Sequence, residues 1–101
     1  MIVEEREYLV KPGAAARYAD LWAKFGREPQ IRILGDLIGF YTTEVGELNT
    51  LVYLWRYESH EDRAKRRAEL AADPYFAAFR AQVSDLMVRQ SNRLLTPALP
   101  S

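Results

Sequence analysis

Residues 48–57, Leu-Asn-Thr-Leu-Val-Tyr-Leu-Trp-Arg-Tyr, constrain the fold more than any other stretch of the chain. The run is short, β-branched and aromatic, and Gly46 and Ser59 bound it, which predicts a strand. Side chains alternate across a strand, so Asn49, Leu51, Tyr53, Trp55 and Tyr57 share one face. Leu48, Thr50, Val52, Leu54 and Arg56 share the other. Both faces are largely apolar. A strand with one wet face alternates polar and apolar residues, so this one needs cover on both sides. A chain of 101 residues has helices enough for one face, and the second cover is expected from another copy.

At this length one domain spanning residues 1–101 is expected, burying roughly 60–65% of its unfolded surface. Fourteen basic residues balance fourteen acidic ones, which gives no reason to expect nucleic acid or anionic lipid as a partner. Cysteine is absent, which excludes disulfide and thiolate chemistry. A single histidine excludes a multi-histidine metal site within one subunit, and neither a metal nor an organic cofactor is expected. The first residues, Met-Ile-Val-Glu-Glu-Arg-Glu, carry acids where a targeting peptide carries bases. No stretch approaches the ~20 apolar residues of a membrane span, so a cytoplasmic protein is the expectation.

In chain order, residues 2–11 alternate apolar and charged and end at Pro12-Gly13, predicting a first strand. Ile2, Glu4, Arg6, Tyr8 and Val10 fall on one face, and charges on both faces suggest wet ends or a polar pocket. Ala15, Tyr18, Leu21, Trp22 and Phe25 then recur at helical spacing, with a stop expected near Gly26 or Pro29. Strand two falls within residues 31–44, where Gly35 and Gly39 mark a bulge or a close approach. A short turn at residues 45–47 makes a hairpin with residues 48–57. Ser59 caps a helix carrying Arg63, Lys65, Arg66 and Arg67, and Asp73-Pro74 starts a further helix with Phe76, Phe79, Val83 and Leu86 inward. Residues 87–95 return to strand spacing, and Pro97 and Pro100 make the tail irregular. This order predicts an α+β, ferredoxin-like domain: a four-stranded antiparallel sheet with helices on one face. An uncovered second face would be a contiguous apolar patch, which soluble monomers avoid.

Phosphate-binding glycine loops, His-Glu-x-x-His and nucleophile elbows are absent. The distinctive words are residues 8–13 (Tyr-Leu-Val-Lys-Pro-Gly), Gly35 to Gly39 with Phe40, and residues 44–49 (Glu-Val-Gly-Glu-Leu-Asn). Leu54-Trp55-Arg56-Tyr57, Asp62-Arg63, Arg66-Arg67 and Ala72-Asp73-Pro74 follow. In this order and spacing they resemble the NIPSNAP family over nearly the whole chain. The resemblance implies a dimeric α+β barrel, in which two ferredoxin-like sheets pack face to face, and a lone domain of this size resembles the bacterial members. Related barrels include cofactor-independent monooxygenases with a pocket between sheet and helices.

The positions that match are Asn49, Trp55, Tyr57, Arg63, Arg67, Asp73 and Pro74. Each also has a plain structural role: Asn49 in a turn, Trp55 in the core with its ring N–H paired, Tyr57 in the core with a wet hydroxyl, Asp73 as a helix cap. Two functions of different classes follow. One is cofactor-independent chemistry on a small aromatic or carboxylated molecule, with Arg63, Arg67, Asn49 and Trp55 binding it and His60, Tyr57 or Asp73 handling a proton. The other is a non-catalytic binding or adaptor module acting through protein contacts. Arg63 and Arg67 lie four apart on one helix face. At least one is expected to point inward, meeting Asp73, Glu5, Glu7 or an anionic ligand.

Overall fold

The computed structural model describes residues 1–99; Pro100 lies outside the described residues. Strand β1 (Ile2–Val10) leads into helix α1 (Ala15–Leu21), a π-helical turn (Trp22–Gly26) and helix α2 (Arg27–Leu34). Strands β2 (Asp36–Thr42) and β3 (Thr50–Tyr57) form a hairpin. Helices α3 (His60–Ala72) and α4 (Pro74–Val83) and a 3₁₀ turn (Ser84–Leu86) precede strand β4 (Met87–Leu95). The sheet runs β2-β3-β1-β4 with every neighbouring pair antiparallel, and the buried core joins one sheet face to the helices. This is the α+β ferredoxin-like architecture expected from the element order.

Strand β3 sorts its faces as its alternation requires. Leu51, Tyr53, Trp55 and Tyr57 are buried under the helices, whereas Val52 and Leu54 stay half-buried on the open face. Tyr53 is the hub of an aromatic layer. Phe40 stacks on it with ring centroids 4.2 Å apart, and Trp22 and Tyr8 meet it edge-on at 5.4 and 5.5 Å. Such pairs contribute about 0.5–1.5 kcal/mol each beyond their burial.

The first helical segment does not stop at Gly26 or Pro29. It continues to Gly35, whose φ of +92° lets the chain leave the helix in a conformation that costs other residues strain. Proline lacks the N–H that an α-helical ladder needs, and the π-helical turn just before Pro29 is where the ladder changes phase. The phase shift also turns Phe25, expected in the core stripe, out to solvent and brings Gln30 in. There the Gln30 carboxamide oxygen accepts a 2.7 Å hydrogen bond from the Trp22 ring N–H.

The hairpin differs in detail too. Strand β3 starts at Thr50 rather than residue 48, and the connection spans residues 43–49 rather than a short turn, with Val45 fully in solvent. Asn49 adopts φ +61° and its side-chain oxygen accepts from the Gly13 N–H at 3.0 Å, tying the hairpin to the β1–α1 loop. Strand β2 is bulged between Leu37 and Gly39, and the Tyr41 ring lies over Gly39, where a Cβ would collide with it. The glycine leaves room for the Tyr41 ring in this position.

Ser59 caps α3 by accepting from the Asp62 N–H at 3.0 Å, and Asp73 caps α4 by accepting from the Phe76 N–H at 2.8 Å. Pro74 occupies the first turn of α4, where its missing N–H leaves no helical bond unmade. The two caps set where α3 and α4 begin and fix the corner that swings α4 back across the sheet.

Candidate functional site: a buried carboxylate and an arginine-lined cavity

Strand β1 carries Ile2, Glu4, Arg6, Tyr8 and Val10 toward the helices, so a carboxylate and a guanidinium are driven under the core. Glu4 is 0% exposed. A buried carboxylate is tolerable only when its lone pairs are met. Its Oε2 accepts from Arg63 Nη2 at 2.7 Å, Asn92 Nδ2 at 2.8 Å and Arg6 Nη1 at 3.0 Å. The Tyr57 hydroxyl makes a longer 3.4 Å contact to Oε1. Helix α3 thus supplies one donor, strand β4 a second, and strands β1 and β3 the others.

Burial alone would push the Glu4 carboxyl up. The bonds from Arg63 and Asn92 and the charges of Arg6 and Arg67 outweigh it and hold the pKa at about 2. Tyr57 is pushed the other way, to about 12, by burial and the neighbouring Glu4 charge, and therefore stays a neutral donor.

Beside this cluster lies a cavity of about 330 Å³ between β1, β4 and the helices. Arg6, Tyr8, Tyr18, Gln30, Arg67 and Gln90 give it a polar end. Leu70, Phe76, Phe79, Val83 and Met87 give it an apolar wall. The charged residues lining it are Arg6, Arg67 and Arg80; among the described residues no carboxylate does so. The Arg80 guanidinium lies 5.7 Å over the Phe76 ring. Arg67 Nη1 and Arg63 Nε are buried with no hydrogen-bond partner among the described residues. The cavity therefore has a positive lining, a neutral donor set and an uncommitted guanidinium nitrogen. It suits an anion with an apolar body.

The residues singled out from the sequence are dispersed. Of them, Arg67 alone lines the cavity, while Arg63 and Tyr57 join the Glu4 cluster. The carboxylate that meets Arg63 is Glu4, not Asp73, Glu5 or Glu7. Glu5 faces the open side of the sheet and pairs with Arg93 at 3.1 Å, and Asp73 pairs with Arg32 at 3.3 Å. Trp55 is 0% exposed in the core, but its ring N–H finds no partner among the described residues, contrary to expectation. His60 is exposed at the first turn of α3 and Asp73 closes its far end. Asp73 follows His60 by thirteen helical steps, about 20 Å at 1.5 Å per residue. Tyr57, His60 and Asp73 thus do not converge as a proton-transfer set, and Asn49 belongs to the hairpin corner. Among the described residues no cluster of His, Cys, Asp or Glu is placed to hold a metal ion.

Glu4, Arg6, Tyr8, Tyr18, Gln30, Gln90 and Asn92 were missed as site residues. Two of them left a signal: Glu4 and Arg6 sit on the same strand face as Ile2, Tyr8 and Val10, where only apolar residues are ordinary. Asn92 gave none, because it reaches Glu4 only through the β1–β4 register, in which it stands opposite Arg6.

An antiparallel ferredoxin-like sheet with a cavity under its helices defines a class of small α+β domains. The fold is shared with a solved structure described as an antibiotic biosynthesis monooxygenase, at a TM-score of 0.65 and 12% identity, over 99% of this chain and 100% of that one. At that identity the likeness is one of fold alone.

Within the class, the chain belongs to the NIPSNAP family, whose model matches residues 3–101. It is 31% identical to the protein NipSnap homolog 3B of Homo sapiens over 97 residues, covering 96% of this chain and 39% of that protein. Identity to the protein NipSnap homolog of Dictyostelium discoideum is 30% over 95 residues, covering 93% and 41%. The chain spans about two fifths of the length of these curated relatives. A NIPSNAP family protein with unknown function from Agrobacterium tumefaciens superposes with a TM-score of 0.96 at 38% identity, over 100% of this chain and 91% of that one.

The low pKa of Glu4 makes a pH prediction. A carboxyl held at about 2 when folded, against an ordinary 4.5, contributes stability that is complete above about pH 5 and is lost as pH falls toward 2. The contribution is about 3 kcal/mol by the usual conversion. In acid titrations followed by circular dichroism, Glu4→Gln should be less stable than the parent at pH 7, and the gap should close between pH 5 and pH 2. A gap unchanged across that window would contradict the assignment.

Proposed function

We propose that the protein binds a small anionic molecule with an apolar or aromatic body in the cavity between its sheet and helices, and that it does so as a homodimer. One observation carries the binding proposal: a buried guanidinium nitrogen of Arg67, without a hydrogen-bond partner among the described residues, in a cavity whose charged lining among those residues is entirely basic. A desolvated N–H without an acceptor is costly, and an anion entering from solvent removes that cost. Phe76 and Phe79 in the lining favour an aromatic or branched body over a compact inorganic ion.

The separation of Tyr57, His60 and Asp73 favours binding over proton-transfer catalysis by those three groups. Any reaction on the bound molecule would draw instead on the donors of the cavity wall.

The homodimer proposal rests on the open face of the sheet. Val3, Leu9, Val52 and Leu54 stand there half-buried, and Ile38 and Tyr41 are exposed beside them. No element of the chain covers them among the described residues, and a face of this kind in water is a contact surface. A second copy meeting it face to face would supply the cover that β3 lacks.

Two measurements test these proposals. Phenylacetate should raise the melting temperature of the parent protein, because a ligand of the native state stabilises it. Arg67→Gln should weaken phenylacetate binding roughly tenfold to a hundredfold, as loss of a charge-assisted bond does. An unaltered affinity in Arg67→Gln would refute the anion site. Light scattering at micromolar concentration should give twice the chain mass, and Leu54→Lys should halve it while leaving the fold intact. A monomeric parent would refute the dimer.

A further inference from the structure

The polar end of the cavity holds a hydrogen-bond donor with no protein acceptor. Tyr8 is buried on β1, and its hydroxyl oxygen accepts from Arg6 Nε at 2.7 Å. A guanidinium carries donors only, so the proton of the Tyr8 hydroxyl must be given elsewhere. Among the described residues that hydroxyl donates to no protein group, and Tyr8 lines the cavity.

The arrangement behind Tyr8 makes it a strong donor. Arg6 is fixed through Nη1 to the buried Glu4 at 3.0 Å, so an ordered chain runs from carboxylate to guanidinium to phenol and ends at the cavity wall. Charge-assisted bonds are stronger than neutral ones, and the Arg6 guanidinium, by donating to the Tyr8 oxygen, polarises the phenol O–H that is left to donate. Tyr18, whose ring centroid is 6.1 Å from that of Tyr8, lines the same end; burial pushes its phenol up, so it stays protonated. The oxygen that best suits this end is an electron-rich acceptor, because the surrounding charges of Arg6 and Arg67 disfavour another donor.

We propose that Tyr8, set by Arg6, is the specificity-determining donor of the cavity: it reads a carbonyl or enolate oxygen on a ligand whose carboxylate rests on Arg67, which makes oxo acids with an apolar body the preferred class. The proposal rests on the anion-binding reading of the same cavity. It adds a second polar contact on a different element, β1 rather than α3. The apolar wall of Leu70, Phe76, Phe79 and Val83 receives the body of the ligand.

The test compares benzoylformate with phenylacetate, which differ by one ketone oxygen, in ¹⁵N–¹H NMR titrations of the whole chain. In the parent protein benzoylformate should bind about tenfold tighter, the worth of one good buried hydrogen bond. Tyr8→Phe should abolish that preference, so that the two acids bind the variant with equal affinity. Equal affinities in the parent, or a preference that survives in Tyr8→Phe, would overturn the role of Tyr8 while Arg67-dependent phenylacetate binding upheld the anion site. Binding of neither acid at millimolar concentration would overturn both. The comparison in the parent protein needs no variant, so a Tyr8→Phe protein that failed to fold would still leave it decisive.

Discussion

The side of the sheet under the helices depends on how one buried carboxylate is satisfied. Glu4 lies on a central strand with no exposed surface, and the elements around it each send a donor to it: Arg63 from α3, Asn92 from β4 and Arg6 from β1. Such a carboxylate is a poor source of net stability compared with a well-packed apolar residue, because desolvation consumes most of the Coulombic gain. Its effect is to specify arrangement. Helix α3 lies on the sheet where Arg63 reaches Glu4, and β4 pairs with β1 in the register that places Asn92 opposite Arg6.

That arrangement also decides which arginine is left over. Arg63 and Arg67 are one helical turn apart, so anchoring the first on Glu4 carries the second to the cavity wall. Ser59 and Asp73 fix the two ends of α3, and the π-helical turn at Trp22–Gly26 rotates Gln30 inward beneath it. Arg6 plays a double part, with one nitrogen on Glu4 and another on Tyr8. The guanidinium charges of Arg6, Arg63 and Arg67 thus gather about one carboxylate, and two of these arginines open onto the cavity. The surplus positive charge is what an anionic ligand would answer.

Much of the fold was legible in the sequence because its signals are local. Strand β3 showed itself through its two apolar faces, β4 through its two-residue alternation, and the starts of α3 and α4 through Ser59 and Asp73-Pro74. The helix that passes Gly26 and Pro29 was not legible, since a π-helical turn re-phases the ladder without any residue pattern of its own. The site was legible only in part. That Arg63 and Arg67 share one helix face follows from their spacing, but which way that face turns and which group meets it depend on strand register and helix crossing, which no local pattern carries. The strand alternation sets Glu4, and not its neighbours Glu5 and Glu7, on the face of Ile2, Tyr8 and Val10, with Glu5 on the opposite face. His60 and Asp73 look chemical in sequence and are separated by the full length of α3.

The most direct test of the account is a crystal structure of the protein grown with phenylacetate. The account predicts the carboxylate inside the cavity, one oxygen about 2.7–2.9 Å from a guanidinium nitrogen of Arg67, with the ring against Phe76 and Phe79. An Arg67 side chain extended into solvent, or paired to a protein carboxylate with the cavity free of phenylacetate, would contradict it.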